Sequence, residues 1–294
     1  MRILHLDSGS EMRGGQWQVL RLVEGLARAG IASVLLARPG SPLLAKALAA
    51  GRDARPLSFL KVARLARRAD VVHAHDARTH TMAALLGAAP LVVSRRVAFP
   101  IRSRWKYRRA TRYAAVSDFV KRVMNEGGVP ESEISVIYDG VPLREPVREG
   151  NRVVAPATDD PLKATDVARQ AARHAGIDLE FAADLESGLE GAGLFLYLTR
   201  SEGLGSAVLV AMSAGIPVIA SNIGGLPEII HHGQNGWLTE NAVEPVTAAI
   251  QTLLADRALA RRLADCGRQT VAQSFSVEHM VESTISLYRQ VLAC

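Results

Sequence analysis

The chain has 294 residues, of which 48% are hydrophobic and 22% charged, and its formal net charge is +6. That length suits two α/β domains of modest size with sizeable cores, and the positive balance calls for anionic partners. The two cysteines, Cys266 and Cys294, have no metal-like spacing, which supports neither a disulfide framework nor a zinc site and fits a reducing cytoplasm.

Met1 to Asp7 reads as a short strand, because its apolar run is too short and broken for a signal peptide. No apolar run approaches membrane-spanning length. Strand-like and helix-like segments then alternate, which predicts a parallel sheet. Strands are expected at Ile3 to Leu6, Ser33 to Ala37, Pro56 to Phe59, Asp70 to Ala74, Leu91 to Ser94, Tyr113 to Val116 and Ser135 to Ile137. Helices are expected at Gln16 to Ala29, where Val19, Leu22, Val23 and Leu26 share a face, and at Leu43 to Ala50, Val62 to Arg68, Thr79 to Gly87 and Phe119 to Glu126. The composition shifts near Tyr138, and Pro142, Pro146 and Gly150 mark a linker. A second alternation begins with a strand at Arg152 to Ala155, a helix at Leu162 to Ala175 and a strand at Leu179 to Ala182. It continues, beyond the stretch described next, with a strand at Val218 to Ser221, a short helix at Leu226 to His231 and a strand at Trp237-Leu238. Three amphipathic helices close the chain, Val243 to Ala255, Arg257 to Gln273 and Val277 to Leu292.

The most informative stretch is Thr199 to Ala220. It follows the apolar run Leu194 to Leu198, bounded like a buried strand. Glu202 sits on the turn leaving that strand, and Gly203 and Gly205 let the backbone turn tightly and a ligand approach it. From Ser206, the expected cap, the chain reads as helical until Gly215, and Pro217 opens the next strand. A carboxylate and a row of backbone N–H groups thus meet at a helix N-terminus beyond the C-terminal end of a strand, where open α/β sheets bind ligands and where phosphate is stabilised.

This stretch resembles the retaining, nucleotide-sugar-dependent glycosyltransferases of family 4, whose signature reads S-x-x-E-G-F-G-x-x-x-x-E-A-M-A-x-G-x-P-V. Glu202, Gly203, Gly205, Ala211, Met212, Gly215, Pro217 and Val218 match it, Leu204 replaces Phe, and Gly224-Gly225-Leu226-Pro227-Glu228 follows. The second glutamate of the signature, which holds the ribose hydroxyls in the family, falls on Val210, which accepts no hydrogen bond. The resemblance implies a GT-B fold: two doubly wound Rossmann-like domains facing across a cleft, with the final helix crossing back onto the first. The domains are set at 1–142, the acceptor side, completed by 277–294, and at 151–276, the donor side. The second is shorter than is usual in the family, by about one strand–helix–strand unit.

Further motifs fit the same resemblance. Gly14-Gly15, between the first strand and the first helix, matches a G-G that faces the donor in similar enzymes; read alone it is equally a tight connection. Asp70-Val71-Val72-His73-Ala74-His75-Asp76 resembles D-x-x-H-x-H. Along a strand His73 and His75 share a face, and with Asp76 they are conceivable zinc ligands. The family does not use them so, and the expectation is no metal, His75 contacting substrate and His73 in the core. Lys163 matches the lysine of G-R-x-x-x-x-K-G, whose cations hold the donor diphosphate. The arginine has no counterpart, and Arg200 is the candidate substitute.

No acidic residue occurs from Ala77 through Ser117, a span that holds Arg95, Arg96, Arg102, Arg104, Lys106, Arg108, Arg109 and Arg112 with Phe99, Trp105 and Tyr107 interleaved. Two readings stand level: a segment attracted to anionic lipid, and cleft arginines, Arg95 among them, that bind phosphate. No nucleic-acid motif accompanies the charge, so no nucleic-acid partner is expected.

The resemblance implies an enzyme that moves a glycosyl group from a nucleotide sugar to an acceptor, such as a lipid or polysaccharide precursor, with retention of configuration. Its site would comprise Glu202, His75 and Lys163 as catalytic residues, with Gly14, Gly15, Arg95, Gly203, Leu204, Gly205 and Ser206 binding substrate. The nucleotide sugar is a co-substrate, and no cofactor is expected. The expected place is the cytoplasm, peripheral on the inner face of the membrane. Val210 and the missing arginine keep open a non-catalytic GT-B protein that binds sugar or acts as a scaffold. An epimerase or phosphorylase of similar fold is disfavoured, because no pyridoxal-lysine or catalytic dyad pattern occurs.

Overall fold

The computed structural model describes residues 1–88, 90–147 and 150–293, with the backbone alone of residue 186. It divides into two compact units, one built from residues 1–140 and the chain from Val277 onward, the other from residues 141–276.

The first unit alternates β1 (Arg2–Asp7), α1 (Gly14–Arg28), β2 (Ala32–Ala37), α2 (Pro42–Ala49), β3 (Ala54–Pro56), α3 (Phe59–Ala66), β4 (Val71–Ala74), α4 (Ala77–Leu85), β5 (Leu91–Arg95), α5 (Arg104–Tyr107), β6 (Arg112–Ala115), α6 (Asp118–Glu126) and β7 (Ile134–Val136). The strands form one sheet in the order β3-β2-β1-β4-β5-β6-β7, every pair parallel. Its strands are nearly continuous runs of buried aliphatic residues, as expected when helices cover both faces. The second unit runs β8 (Arg152–Pro156), α7 (Thr165–Ala175), β9 (Leu179–Ala182), α8 (Leu185–Gly188), β10 (Ala192–Tyr197), α9 (Ser206–Ser213), β11 (Val218–Ser221), α10 (Leu226–Ile229), β12 (Trp237–Thr239), α11 (Val243–Ala255) and α12 (Arg257–Ser274). Its sheet, also parallel, has the order β12-β11-β10-β8-β9.

The last helix, α13 (Val277–Ala293), belongs to the first unit. Val277, Met280, Val281, Ile285, Leu287, Tyr288 and Val291 pack with Ile3, Leu22, Leu26, Val71 and Val92 in one core. Gly25 of α1 is the contact point: a Cβ there would stand 2.4 Å from Val281 Cγ2, so only glycine admits α13 at this spacing.

Several helices start where a side chain caps them, before the positions that apolar spacing suggested. Ser58 accepts from Lys61 N–H and starts α3 at Phe59. Asp76 accepts from Arg78 and Thr79 N–H and starts α4 at Ala77. α1 begins at Gly14, so Gly14-Gly15 forms its first turn instead of a preceding loop. Ser206 is the first residue of α9 and not its cap: Gly205, at φ 108°, holds that position and offers no side-chain acceptor. α10 ends at Ile229, before the expected His231. The short helices α5 and α8 have no periodicity to announce them. No helix among the described residues is long and apolar enough to cross a membrane.

Candidate active site

In each sheet the connections reverse direction at one place, between β1 and β4 in the first unit and between β8 and β10 in the second. Loops leaving the C-terminal ends of these neighbouring strands are thrown together, and ligands of open α/β sheets settle there.

In the second unit the loop after β8 carries Lys163 and the loop after β10 carries Glu202. Asp160 caps the 3-10 turn Pro161–Lys163 by accepting from Leu162 N–H at 3.0 Å. Leu162 O then accepts from Arg200 N–H at 2.6 Å, which docks this turn onto the chain leaving β10. From the other side Thr199 N–H donates to Ser221 Oγ at 2.8 Å, and Asn241 Nδ2 donates to Thr199 O at 2.6 Å. The turn and α7 are not the continuous helix the spacing suggested. Ala164 lies between them at φ 39°, ψ 37°, the left-handed region. It is the one non-glycine residue with positive φ among the described residues, and its side chain is buried in the core. Such a conformation costs on the order of 1–2 kcal/mol for an L-residue.

The result is a compact charged cluster. Lys163 Nζ donates to Glu202 Oε2 at 2.6 Å and to Tyr197 Oη at 2.7 Å. The Tyr197 hydroxyl donates to the same Glu202 Oε2, and Gly203 N–H donates to Glu202 Oε1 at 3.1 Å. Tyr197 stays a neutral phenol: burial first, then the adjacent Glu202 carboxylate, push its pKa well above the usual value. The side chains of Lys163 and Glu202 are 22% and 16% exposed, so the pair sits at a surface that a ligand can reach. The backbone beneath is held by close approach. A Cβ on Gly224 would stand 2.1 Å from Glu202 O and one on Gly225 2.2 Å from Gly203 O, which is why glycines follow β11. Beyond Gly205, Val208 and Leu209 N–H turn back to Gly205 O at 2.9 and 3.3 Å, and the first turn of α9 carries the positive end of the helix dipole. Leu204 is buried. A carboxylate and an ammonium therefore meet a short loop before the start of α9. Val210, half-buried on α9, brings no polar group to them. Arg200 does not substitute for a missing cation here, since its guanidinium donates to Asp166 at 3.0 and 2.8 Å and to Pro161 O at 2.9 Å.

In the first unit the loops after β1 and β4 also meet. Asp76 accepts from Ser8 N–H at 2.6 Å and Ser8 Oγ at 2.9 Å while it caps α4, so its carboxylate is fully engaged. Asp7 holds the β1–α1 loop by accepting from Gly9 N–H at 2.8 Å and from Gln16 Nε2. Burial raises its pKa, partly countered by the Gly9 hydrogen bond. Gly15 lies near Arg96, whose Cδ would be 3.8 Å from a Cβ there. Arg96 donates to Asp139 at 3.2 Å.

His75 is buried at 7% exposure and His73 at 1%. His5 joins them, and ligand atoms of the three rings lie within 4.8 Å of one another. The rings of His5 and His75 are 14° from parallel with centroids 5.2 Å apart, and His5 Nδ1 is 2.9 Å from His75 Nε2, so they lie edge to edge and share a proton. His73 lies against His75, tilted by 34° with centroids 4.0 Å apart, and uses both nitrogens elsewhere, Nδ1 with Tyr288 Oη at 2.6 Å and Nε2 with Ser94 Oγ at 2.8 Å. His5 Nε2 and His75 Nδ1 are buried without a hydrogen-bond partner. Burial pushes His5 down to about 3 and His73 and His75 well below the ordinary histidine value, so all three are neutral.

The basic block divides. Arg95 donates to Tyr107 Oη and to Phe99 O. Lys106 donates to Ala77 O and Thr81 Oγ1, both at 3.3 Å, and Arg109 to Ala84 O at 3.1 Å, so these cations fasten α5 to its surroundings. Arg102, Arg104 and Arg108 remain on the surface with Phe99 and Trp105.

Two doubly wound parallel sheets, one in each unit, are the architecture of the GT-B fold. The fold matches Anabaena Alr3699/HepE solved with UDP and glucose at a TM-score of 0.85 and 16% identity, over 99% of this chain and 100% of that one. It matches sucrose-phosphate synthase from Thermosynechococcus elongatus at 0.78 and 18%, over the whole of both chains. At the sequence level, residues 12–145 match the model for Glycosyltransferase Family 4 and residues 179–270 that for Glycosyl transferases group 1, and the two matches support a family 4 glycosyltransferase. N-acetyl-alpha-D-glucosaminyl L-malate synthase of Bacillus anthracis is 37% identical over 34% of this chain and 26% of its own length. Alpha-maltose-1-phosphate synthase of Mycobacterium tuberculosis is 35% identical over 36% of this chain and 29% of its own length. The matched region thus spans between a quarter and a third of these curated relatives.

Proposed function

We propose that the chain transfers a glycosyl group from a nucleotide sugar, a UDP sugar first, to an acceptor with retention of configuration. The observation that carries this reading is the Lys163–Glu202 pair a short loop before α9, with Lys163 Nζ 2.6 Å from Glu202 Oε2. As the sugar–phosphate bond lengthens, negative charge gathers on the departing diphosphate, and Lys163 with the positive end of the α9 dipole stabilises it. Glu202 faces the sugar, binding its hydroxyls or the positive charge that develops at its anomeric carbon. Leaving group and acceptor use the same face, so configuration is kept without a covalent intermediate. The second unit is the donor side and the first the acceptor side, where Gly14, Gly15, His75 and Arg95 contribute. The nucleotide sugar serves as co-substrate, with no resident cofactor. Proteins of this fold solved with UDP and with UDP-glucose support a uridine nucleotide as the first donor to try.

The acceptor reading is a lipid-linked or polysaccharide precursor, handled at an anionic membrane surface on the cytoplasmic side. Exposed Arg102, Arg104 and Arg108 beside Trp105 support it, as does α3, where Leu60 is 81% exposed among Lys61, Arg64, Arg67 and Arg68.

The test is a panel of UDP-, GDP- and ADP-sugars with lipid and oligosaccharide acceptors, read by nucleotide release and by the anomeric configuration of the product. Release coupled to an α-linked product from an α-linked donor supports transfer with retention. Binding of a nucleotide sugar without transfer to any acceptor supports the scaffold reading that Val210 motivates, and an inverted product overturns retention.

A further inference from the structure

Tyr197 is unusual for its place. It ends β10, inside the apolar run Leu194-Phe195-Leu196-Tyr197-Leu198, where an apolar residue would fill the core without adding a polar group. Its ring is buried beside Phe195, with centroids 6.3 Å apart, and its hydroxyl emerges under the charged pair. A buried phenol needs a partner for its hydroxyl, and a core strand offers none of its own. Here the hydroxyl touches two groups, accepting from Lys163 Nζ at 2.7 Å and donating to Glu202 Oε2.

The hydrogen-bond inventory shows what this does. An ammonium has three donors, and Lys163 places one on Glu202 and one on Tyr197, which leaves one for a ligand oxygen. A carboxylate oxygen beside an ammonium alone is free to follow it. Glu202 Oε2 is instead also tied to a hydroxyl that grows from a β-strand and cannot follow, while Gly203 N–H fixes Oε1. Rotation of the carboxylate and drift of the ammonium are therefore both resisted from beneath, by a residue with two torsions packed in the core. If a diphosphate draws Lys163 away from Glu202, the carboxylate keeps a donor and its orientation.

We propose that Tyr197 is a positioning residue, which fixes Lys163 Nζ and the Glu202 carboxylate relative to each other before and after the donor binds. The proposal rests on the transferase reading of the Lys163–Glu202 pair. Tyr197 lies beneath that pair and acts through it.

The experiment is a double-mutant cycle of Tyr197→Phe, Glu202→Gln and the double variant, in the full chain. It is read in urea unfolding of the free protein and in donor kinetics. The phenylalanine keeps the ring and its packing. The free-protein arm should show coupling between positions 197 and 202 of about threefold in the unfolding constant, roughly 0.7 kcal/mol. In kinetics Tyr197→Phe should lower kcat at least tenfold with the donor KM within threefold, and it should add less than twofold to the loss in the Glu202→Gln background. Coupling below twofold overturns the proposal, because the contacts would then not hold the pair. Coupling with an unchanged kcat, or a parallel loss through KM alone, also overturns it and leaves Tyr197 a core residue. If the unmodified chain transfers no sugar from any donor while the coupling persists, the transferase reading has failed and Tyr197 has no reaction to position.

Discussion

Lys163 Nζ and Glu202 Oε2 are 2.6 Å apart although 39 residues separate them in sequence. They meet because β8 and β10 are hydrogen-bonded neighbours and Leu162 O accepts from Arg200 N–H. With Glu202 16% exposed, its pairing contributes little to stability after solvent screening.

Glu202→Gln should therefore lower transfer at least a hundredfold while moving the unfolding midpoint by no more than about 3 °C, the effect of roughly 1 kcal/mol in a unit of this size. Full turnover in that variant would remove Glu202 from the mechanism.

Val210→Glu restores a charged acceptor on α9. A hydrogen bond to a charged group contributes about 1.5–3 kcal/mol, so UDP should bind at least tenfold more tightly by calorimetric titration. Val210 is half-buried, which leaves the new carboxylate a path to water and avoids the penalty of a sealed charge. Tight UDP binding by the unmodified chain, with no gain in the variant, would show that other groups hold the ribose.

Ala164 combines a left-handed backbone with a buried methyl group. Relief of about 1–2 kcal/mol in Ala164→Gly is offset by about 0.8 kcal/mol for the lost methyl and by the added freedom of glycine in the unfolded chain. The glycine variant should thus lie within about 1 kcal/mol of the parent in urea unfolding. Ala164→Val, β-branched in the same backbone, should lose more than about 2 kcal/mol. Equal stability of all three would contradict the kink.

Acid should weaken the first unit. The fold holds His5, His73 and His75 neutral, with His5 down to about 3, whereas the unfolded chain takes up protons below about pH 6.5. Stability from this source is complete above that pH and is lost as the pH falls from about 6.5 toward 3, by up to about 1.4 kcal/mol per pH unit for each histidine. The nearby Arg96 guanidinium lowers His73 and His75 in the same sense. Asp7, raised by burial, acts oppositely and only in the carboxylate range. Urea midpoints should fall steadily from pH 7 to 5, and less steeply in His73→Gln. A midpoint independent of pH over that range would contradict a neutral trio.

Most strands and the switch-point glycines were legible in the sequence, because buried aliphatic runs punctuated by glycine and proline leave few alternatives. The helix starts were less so: apolar spacing marks the buried face of α3 and α4, but Ser58 and Asp76 set where each begins. Glu202 and Lys163 could be found from their motifs. Tyr197 could not, since a tyrosine in an apolar strand reads as core, although its hydroxyl already asked for a partner. Asp76 with Thr79 three residues on is a capping signal that the sequence does carry. The edge-to-edge pairing of His5 with His75 depends on β1 lying beside β4, an adjacency that no local pattern encodes.

For the membrane reading, vesicles of phosphatidylglycerol and phosphatidylcholine should bind the chain, and pure phosphatidylcholine should not. Each cation near an anionic surface contributes about 1 kcal/mol. Replacing Arg102, Arg104 and Arg108 with Ser, or Leu60, Arg64 and Arg67 with Ser, should each weaken binding at least tenfold, and salt should weaken it further. Binding that neither set alters would rule out both surfaces.

The placement of α13 has a consequence for the order of assembly. The second unit is one unbroken stretch, residues 141–276, and can close on itself as soon as it has been synthesised. The first unit cannot, because Met280, Val281, Leu287 and Tyr288 complete its core, and Tyr288 holds His73. The part made earliest is thus the last to be finished. A protease cut after Ser276 would spare the second unit entirely while stripping a wall from the first.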